Sequence, residues 1–306
     1  VDRCTPDPLL DGIGIGSTME ARPHAAAGDE TAPSVGAWEK VYFGAVGLLA
    51  LWVGFWGYFL PARVTKAIPF PVPPLHARFI GAIYLSGLVL MIAGMVVRKW
   101  TDIRIIPLMT ALWTGGLLLV SLFHLEEFDF STAQSRIWFA AYIVYPAIAL
   151  WLTWRRGLLD PRRYGGRTRM PRGAERYLLI QGVVLTVLGT ALFIVPGAMV
   201  DLWPWPITAL LAQIYSAPFL AYGVGSLLLA RRGATHIHAL VAATAFLVFS
   251  VGVLVASVIH RDLFSMGDVS DILWFTLLVL GSAALGLLVV RLLGPSGSGA
   301  PQPGGS

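Results

Sequence analysis

Two short stretches hold the residues best suited to chemistry. One reads His124-Leu125-Glu126-Glu127-Phe128-Asp129 and the other His260-Arg261-Asp262-Leu263-Phe264. Each sets an imidazole two residues ahead of a carboxylate, once in each half of the chain. Imidazole plus carboxylate is a donor set for zinc or a similar divalent ion. His124, Glu126, His260 and Asp262 are therefore candidate metal ligands, provided the two stretches converge. A divalent metal is the one cofactor this pattern suggests. The spacing is not in itself a ligand signature. The plainer alternative, that each His and acid caps a helix end in water, is the favoured one.

Arg78 offers a second chemistry. An arginine at the edge of hydrocarbon calls for a carboxylate, and Glu126, Glu127 or Asp129 are expected at its depth. The corresponding position in the second half holds Gln213. Arg78, Gln213 and Glu127 could clamp an anionic headgroup or a carboxylate substrate. The alternative is a structural ion pair or a snorkelling side chain. Elsewhere the residues argue against catalysis. No nucleophile has a base beside it. Cys4 is the only cysteine, so no intrachain disulfide and no cysteine metal cage can form. Gly12, Gly14 and Gly16 follow no strand and make no nucleotide loop. His236 and His238, at the positions mirrored by Asp102 and Arg104, are two apart and face different ways on a helix.

The elements that must position these groups are membrane helices. The chain has 306 residues, 56% hydrophobic and only 13% charged, with a mean hydropathy of +0.72. That charge share is about half what a soluble domain carries, which excludes a soluble enzyme and a nucleic-acid-binding domain. Eight apolar runs are legible, at roughly 38–60, 75–97, 103–123, 137–154, 177–199, 207–230, 237–259 and 272–293. Each is close to the ~20 residues that cross a bilayer as a helix. The fold class is all-α: a polytopic integral membrane protein. No span has Asp, Glu, Lys or Arg near its midpoint, which disfavours a proton pump or ion channel.

Basic residues set the expected orientation. Seventeen lie on the side of the even connections and the termini, and five on the other. Eight of them are arginines between Arg155 and Arg176. The positive-inside rule puts both termini in the cytoplasm. Nineteen Arg against three Lys suggests a GC-rich bacterial genome, hence a bacterial inner membrane. The expected partners are the bilayer and, at the Arg-rich connection, anionic lipid headgroups; no nucleic acid is expected. Residues 1–36 read as a disordered cytoplasmic tail without a signal peptide, with Met19 a candidate start, and 294–306 as a second flexible tail.

A duplication runs through the chain. Pro61, Pro69 and Pro71 recur at an offset of 135 as Pro196, Pro204 and Pro206. Arg98, Thr101 and Thr110 recur at 134 as Arg232, Thr235 and Thr244. Ser121, His124, Phe128, Trp138 and Phe139 recur at 136 as Ser257, His260, Phe264, Trp274 and Phe275. The organisation is a first four-helix repeat at 37–155, an Arg-rich linker at 156–174 and a second repeat at 175–293. Four spans are an even number, so the repeats are parallel, about a pseudo-two-fold axis along the membrane normal.

Pro61 closes the first span, and Ala77-Arg78-Phe79-Ile80-Gly81-Ala82-Ile83-Tyr84-Leu85 opens the second. On those residues each half resembles the small four-helix bacterial membrane proteins of the DoxX-like kind. The second half departs from the pattern, with Gln213 for the Arg and Ser216 for the Gly. The resemblance covers a helix and a loop per half and implies no catalytic residues.

Two packing expectations complete the reading. Phe70, Trp203 and Trp205 are expected in the aromatic belt at the outer interface. Gly81, Ser86, Gly87 and Gly94 in the second span, with Ser216, Gly223, Gly225 and Ser226 in the sixth, are expected to bring those two spans together on the axis. The favoured function is non-enzymatic: binding or carriage of a small or lipid-like molecule between the halves. The alternatives are a metal-dependent membrane enzyme with the outer His/carboxylate site, and a structural subunit of a membrane complex.

Overall fold

A computed structural model describes residues 33–157, 172–231, 234–265 and 267–294. Residues 1–32 of the first expected tail, with Cys4 and Met19, residues 295–306 of the second and the middle of the Arg-rich connection lie outside the described residues; residues 33–36, expected in the first tail, are instead held in place, Val35 N–H donating to Arg98 O at 2.8 Å. Those residues fold as helices: α1 (Ala37–Phe59), α2 (Pro74–Val96), α3 (Ile105–Phe123), α4 (Ala133–Arg155), α5 (Arg172–Ile194), α6 (Pro196–Leu202), α7 (Ala209–Arg231), α8 (His236–Ile259) and α9 (Val269–Leu293). All but α6 are long and apolar enough to cross a bilayer. The protein is an integral membrane protein, with eight such helices among the described residues. In hydrocarbon a helix satisfies its own backbone, which is why these uncharged runs adopt it.

The largest boundary difference falls on the fifth span. The apolar run predicts it at 177–199, and α5 instead ends at Ile194. Pro196 has no N–H to donate and opens the separate seven-residue α6 from its first position. Pro61 does the same after α1, where residues Pro61–Lys66 form a 3-10 turn.

The order of packing is not the order of the chain. α2 packs on its chain neighbour α1 and on α8, while α7 packs on α5 and α3. α3 carries α4, and α8 carries α9. Each half's second helix therefore leans on the other half's third helix, and the halves interlock. The crossings use small residues. A Cβ on Gly252 would stand 3.0 Å from the Ala82 Cβ, and one on Gly116 2.8 Å from the Ala217 Cβ. Contacts recur at matching offsets elsewhere. Trp138 Nε1 donates to Ser121 Oγ at 2.9 Å, and Trp274 Nε1 donates to Ser257 Oγ at 3.0 Å.

Two expectations are corrected here. The glycines of α2 and α7 do not bring those two helices together. Gly81 lies against Tyr58 and Gly57 of α1, Gly94 against Phe43 of α1, and Gly223 against Thr186 of α5. Close backbone approach goes to the partner within each half. α2 and α7 are still the most enclosed spans, and they meet through side chains: Ser86 Oγ lies 2.8 Å from Tyr222 Oη. Nor do Phe70, Trp203 and Trp205 form a belt. All three are buried. Their loops fold inward, so the rings plug the bundle instead of facing the lipid interface.

The bundle has two chemically different ends. At one, here the proline end, ring contacts gather the four connections: Phe70 with Phe128, Trp205 with Phe264, and His76 with Trp205. At the other, the arginine end, Arg156 Nε donates to Glu39 Oε1 at 3.0 Å and the same guanidinium lies 4.9 Å from the Trp100 ring centre. His236 Nε2 donates to Leu292 O at 2.6 Å. His238 caps α8 with Thr235, so the two histidines serve separate partners.

Candidate functional site

The proline end contains a chamber of about 480 Å³ between the two halves. Pro71, Pro73 and His76 wall it from one half, and Pro206, Thr208, Ala209, Leu210 and Leu211 from the other. His124 and Glu127, at the end of α3, complete it. Pro71, Pro73, Glu127, Pro206, Thr208 and Ala209 are exposed, so the chamber opens away from the bundle. Below it the aromatic plug closes the way. Phe79 touches Trp203, Trp205 and Tyr215, with ring centres 6.1, 5.5 and 4.5 Å apart, and Trp205 lies 5.0 Å from Trp274.

His76 builds the wall. Its Nδ1 lies 2.7 Å from Tyr215 Oη and 3.4 Å from Trp205 Nε1, and the ring also bonds to the Pro206 main chain. Tryptophan N–H can only donate and proline's main chain can only accept. Nδ1 is thus the acceptor, and Nε2 carries the proton to the Pro206 carbonyl. Every valence of this buried ring is in use. It ties α2 of one half to α7 and the proline loop of the other.

His124 is anchored differently. Gln213 Nε2 donates to Phe193 O at 3.0 Å, which fixes its amide orientation. Its Oε1 then faces His124 Nε2 at 2.7 Å, so that nitrogen is the donor. The other ring nitrogen, Nδ1, lies 3.9 Å from Glu126 Oε1, an ion pair when the ring is protonated. His260, at the equivalent place in the second half, meets Arg78 instead: Nη1 lies 2.6 Å from its Nε2. A guanidinium only donates, so His260 Nε2 is the acceptor and its proton sits on Nδ1. Burial, then the Arg78 charge, hold His260 below its usual pKa, with Asp262 opposing.

The expected sites are thereby rearranged. His124, Glu126, His260 and Asp262 do not assemble as a metal centre. One imidazole is engaged by Gln213 and the other by Arg78, and among the described residues no three His, Cys, Asp or Glu side chains are placed to hold a metal ion. Arg78 does not pair with Glu126, Glu127 or Asp129. It meets His260, because α2 packs far more extensively on α8 than on α3. Asp129 is occupied locally: its carboxylate accepts the Ser131 N–H at 2.9 Å, and bonding to Ser131 lowers its pKa. Gln213 and Glu127 do belong to one region, Gln213 behind His124 and Glu127 on the chamber wall. Sequence reasoning missed His76. Its signal was the flanking Pro73 and Pro74, which place it in the first turn of α2.

No protein-family model, curated protein or solved structure matches this chain.

Proposed function

We propose that the protein is a membrane-embedded binding protein whose ligand site is the chamber at the proline end. The carrying observation is the chamber itself: about 480 Å³, walled by both halves, with His124 and Glu127 facing into it. Its volume is in the ~300–1,000 Å³ range of small-molecule sites. The plug of Phe79, Trp203 and Trp205 beneath it supports binding over passage through the bundle. The proline end is read as external and both termini as cytoplasmic, in a bacterial inner membrane. The 17-to-5 division of basic residues supports this. We also read the chain as two parallel repeats, each of the DoxX-like kind. The pairing of Gly252 with Ala82, echoed in the other half by Gly116 with Ala217, supports the repeat.

A chamber-filling variant tests the reading. Purified protein is screened by thermal shift against small polar, zwitterionic and lipid-like compounds, beside Leu211→Trp and Thr208→Trp. At least one compound should raise the unfolding temperature of the parent, and both variants should lose the response. A response that survives both substitutions, or none from any compound, removes the chamber as the site.

A further inference from the structure

We propose that the first half carries a site of its own, at hydrocarbon depth between α1 and α4, for an apolar molecule whose carbonyl accepts a hydrogen bond from Tyr84 or Tyr142. The two tyrosines are buried, 7% and 2% exposed, and each is near the middle of its helix. Their hydroxyls bond to each other. Each hydroxyl carries one proton, and a mutual bond uses only one of the two. The second O–H has no acceptor among the described residues. Thr110 and Thr114 line the same cavity, but their hydroxyls donate back to Ile106 O and Thr110 O at 2.9 and 2.6 Å, and neither bonds to the pair. A buried donor left unmatched in hydrocarbon is costly. Packing does not require it. At the offsets of 135 and 136 the second half holds Phe219 and Leu278, both buried and without a hydroxyl.

The pair opens on a cavity. Tyr84 and Tyr142 line a space of about 40 Å³ with Val46, Leu90, Met91 and Trp113, roughly three times the volume that one water needs. Tyr142 and Leu49 also line a second space of about 50 Å³, beside Trp52 and Ile137. Trp52 and Ile137 are exposed, so this groove opens sideways to lipid. On the arginine side Tyr42 Oη donates to Tyr145 O at 3.2 Å and ties α1 to α4. None of these residues lines the proline-end chamber, so the two sites stand or fall separately. The chemistry of the occupant follows. Apolar walls suit a hydrocarbon body. A charged head would be buried without a counter-charge, and an alcohol would bring a further unmatched proton. A carbonyl accepts and donates nothing.

The probe is 2-undecanone carrying carbon-13 at its carbonyl. It is added to the full-length protein in nanodiscs and followed by infrared spectroscopy beside empty nanodiscs. With the parent, the ketone should show a second carbonyl band, lower in frequency than its band in lipid, because a donated hydrogen bond weakens the C=O bond. Tyr84→Phe and Tyr142→Phe each leave one O–H free of its mutual bond, so at least one single variant should keep that band. The double variant, changed by two oxygens only, should lose it. Ala50→Phe, which fills the cavity from α1, should lose it too. No second band in the parent, as when water alone takes the proton, overturns the proposal. So does a band that survives the double variant, one that is lost in both single variants, or one that is unchanged in Ala50→Phe.

Discussion

His124 and His260 occupy matching places, yet hydrogen bonding gives them opposite protons. Gln213 presents an oxygen, so His124 is protonated on Nε2. Arg78 presents an N–H, so His260 is protonated on Nδ1. One substitution should convert the second pair into the first. In Arg78→Gln the guanidinium charge is gone and His260 titrates nearer its ordinary value of about 6.5. The sign follows from linkage. A histidine whose folded pKa is depressed contributes stability above its unfolded pKa, and that contribution is lost as pH falls. The parent should therefore lose thermal stability on acidification through the window below about pH 6.5, and Arg78→Gln should lose less. Thermal unfolding in detergent at stepped pH, parent against variant, measures this. An equal acid loss in both would show that Arg78 does not hold His260 neutral.

Among elements, α1 and α2 approach each other closely, as α5 and α7 do. A Cβ on Gly81 would come 2.5 Å from the Tyr58 main-chain nitrogen, and one on Gly57 2.7 Å from the Ala77 carbonyl oxygen. Backbone cannot swing aside as a side chain can, so Gly81→Ala should part the helices and cost about 1–3 kcal/mol. Gly281 in α9 faces open space, and Gly281→Ala should stay within about 0.5 kcal/mol of the parent. Unfolding temperatures of the two variants check the contrast. Legibility follows the same physics. Eight apolar runs had to be helices because hydrocarbon leaves the backbone no other partner, and Pro61 with Pro196 marked where two of them stop. The partners of α2 could not be read. Gly81 announces a close approach without naming the helix approached, and nothing in residues 74–96 says that α8 takes the place beside them instead of α3. That one ambiguity misassigned Arg78 to the carboxylates of 126–129. It also hid the chamber, which exists only because the two proline loops of different halves face each other.

At the scale of the whole molecule, two interlocked halves bury an aromatic plug and leave an open chamber above it. α9 turns most of its surface outward, with Leu273, Leu277, Leu280 and Leu287 exposed, as a lipid-facing helix does. The same arrangement gives the molecule one proline-rich end and one arginine-rich end, and the account stands on the first being external and open. Thiol labelling in intact cells tests this most directly. In a Cys4→Ser background, Thr208→Cys places a single thiol on the chamber wall and Arg231→Cys places one at the arginine end. A membrane-impermeant maleimide should label the first in intact cells and the second only after permeabilisation. Adding Leu211→Trp should slow the first by filling the chamber. Labelling in the reverse order, or a Thr208→Cys thiol that stays unreactive in both conditions, would contradict the account.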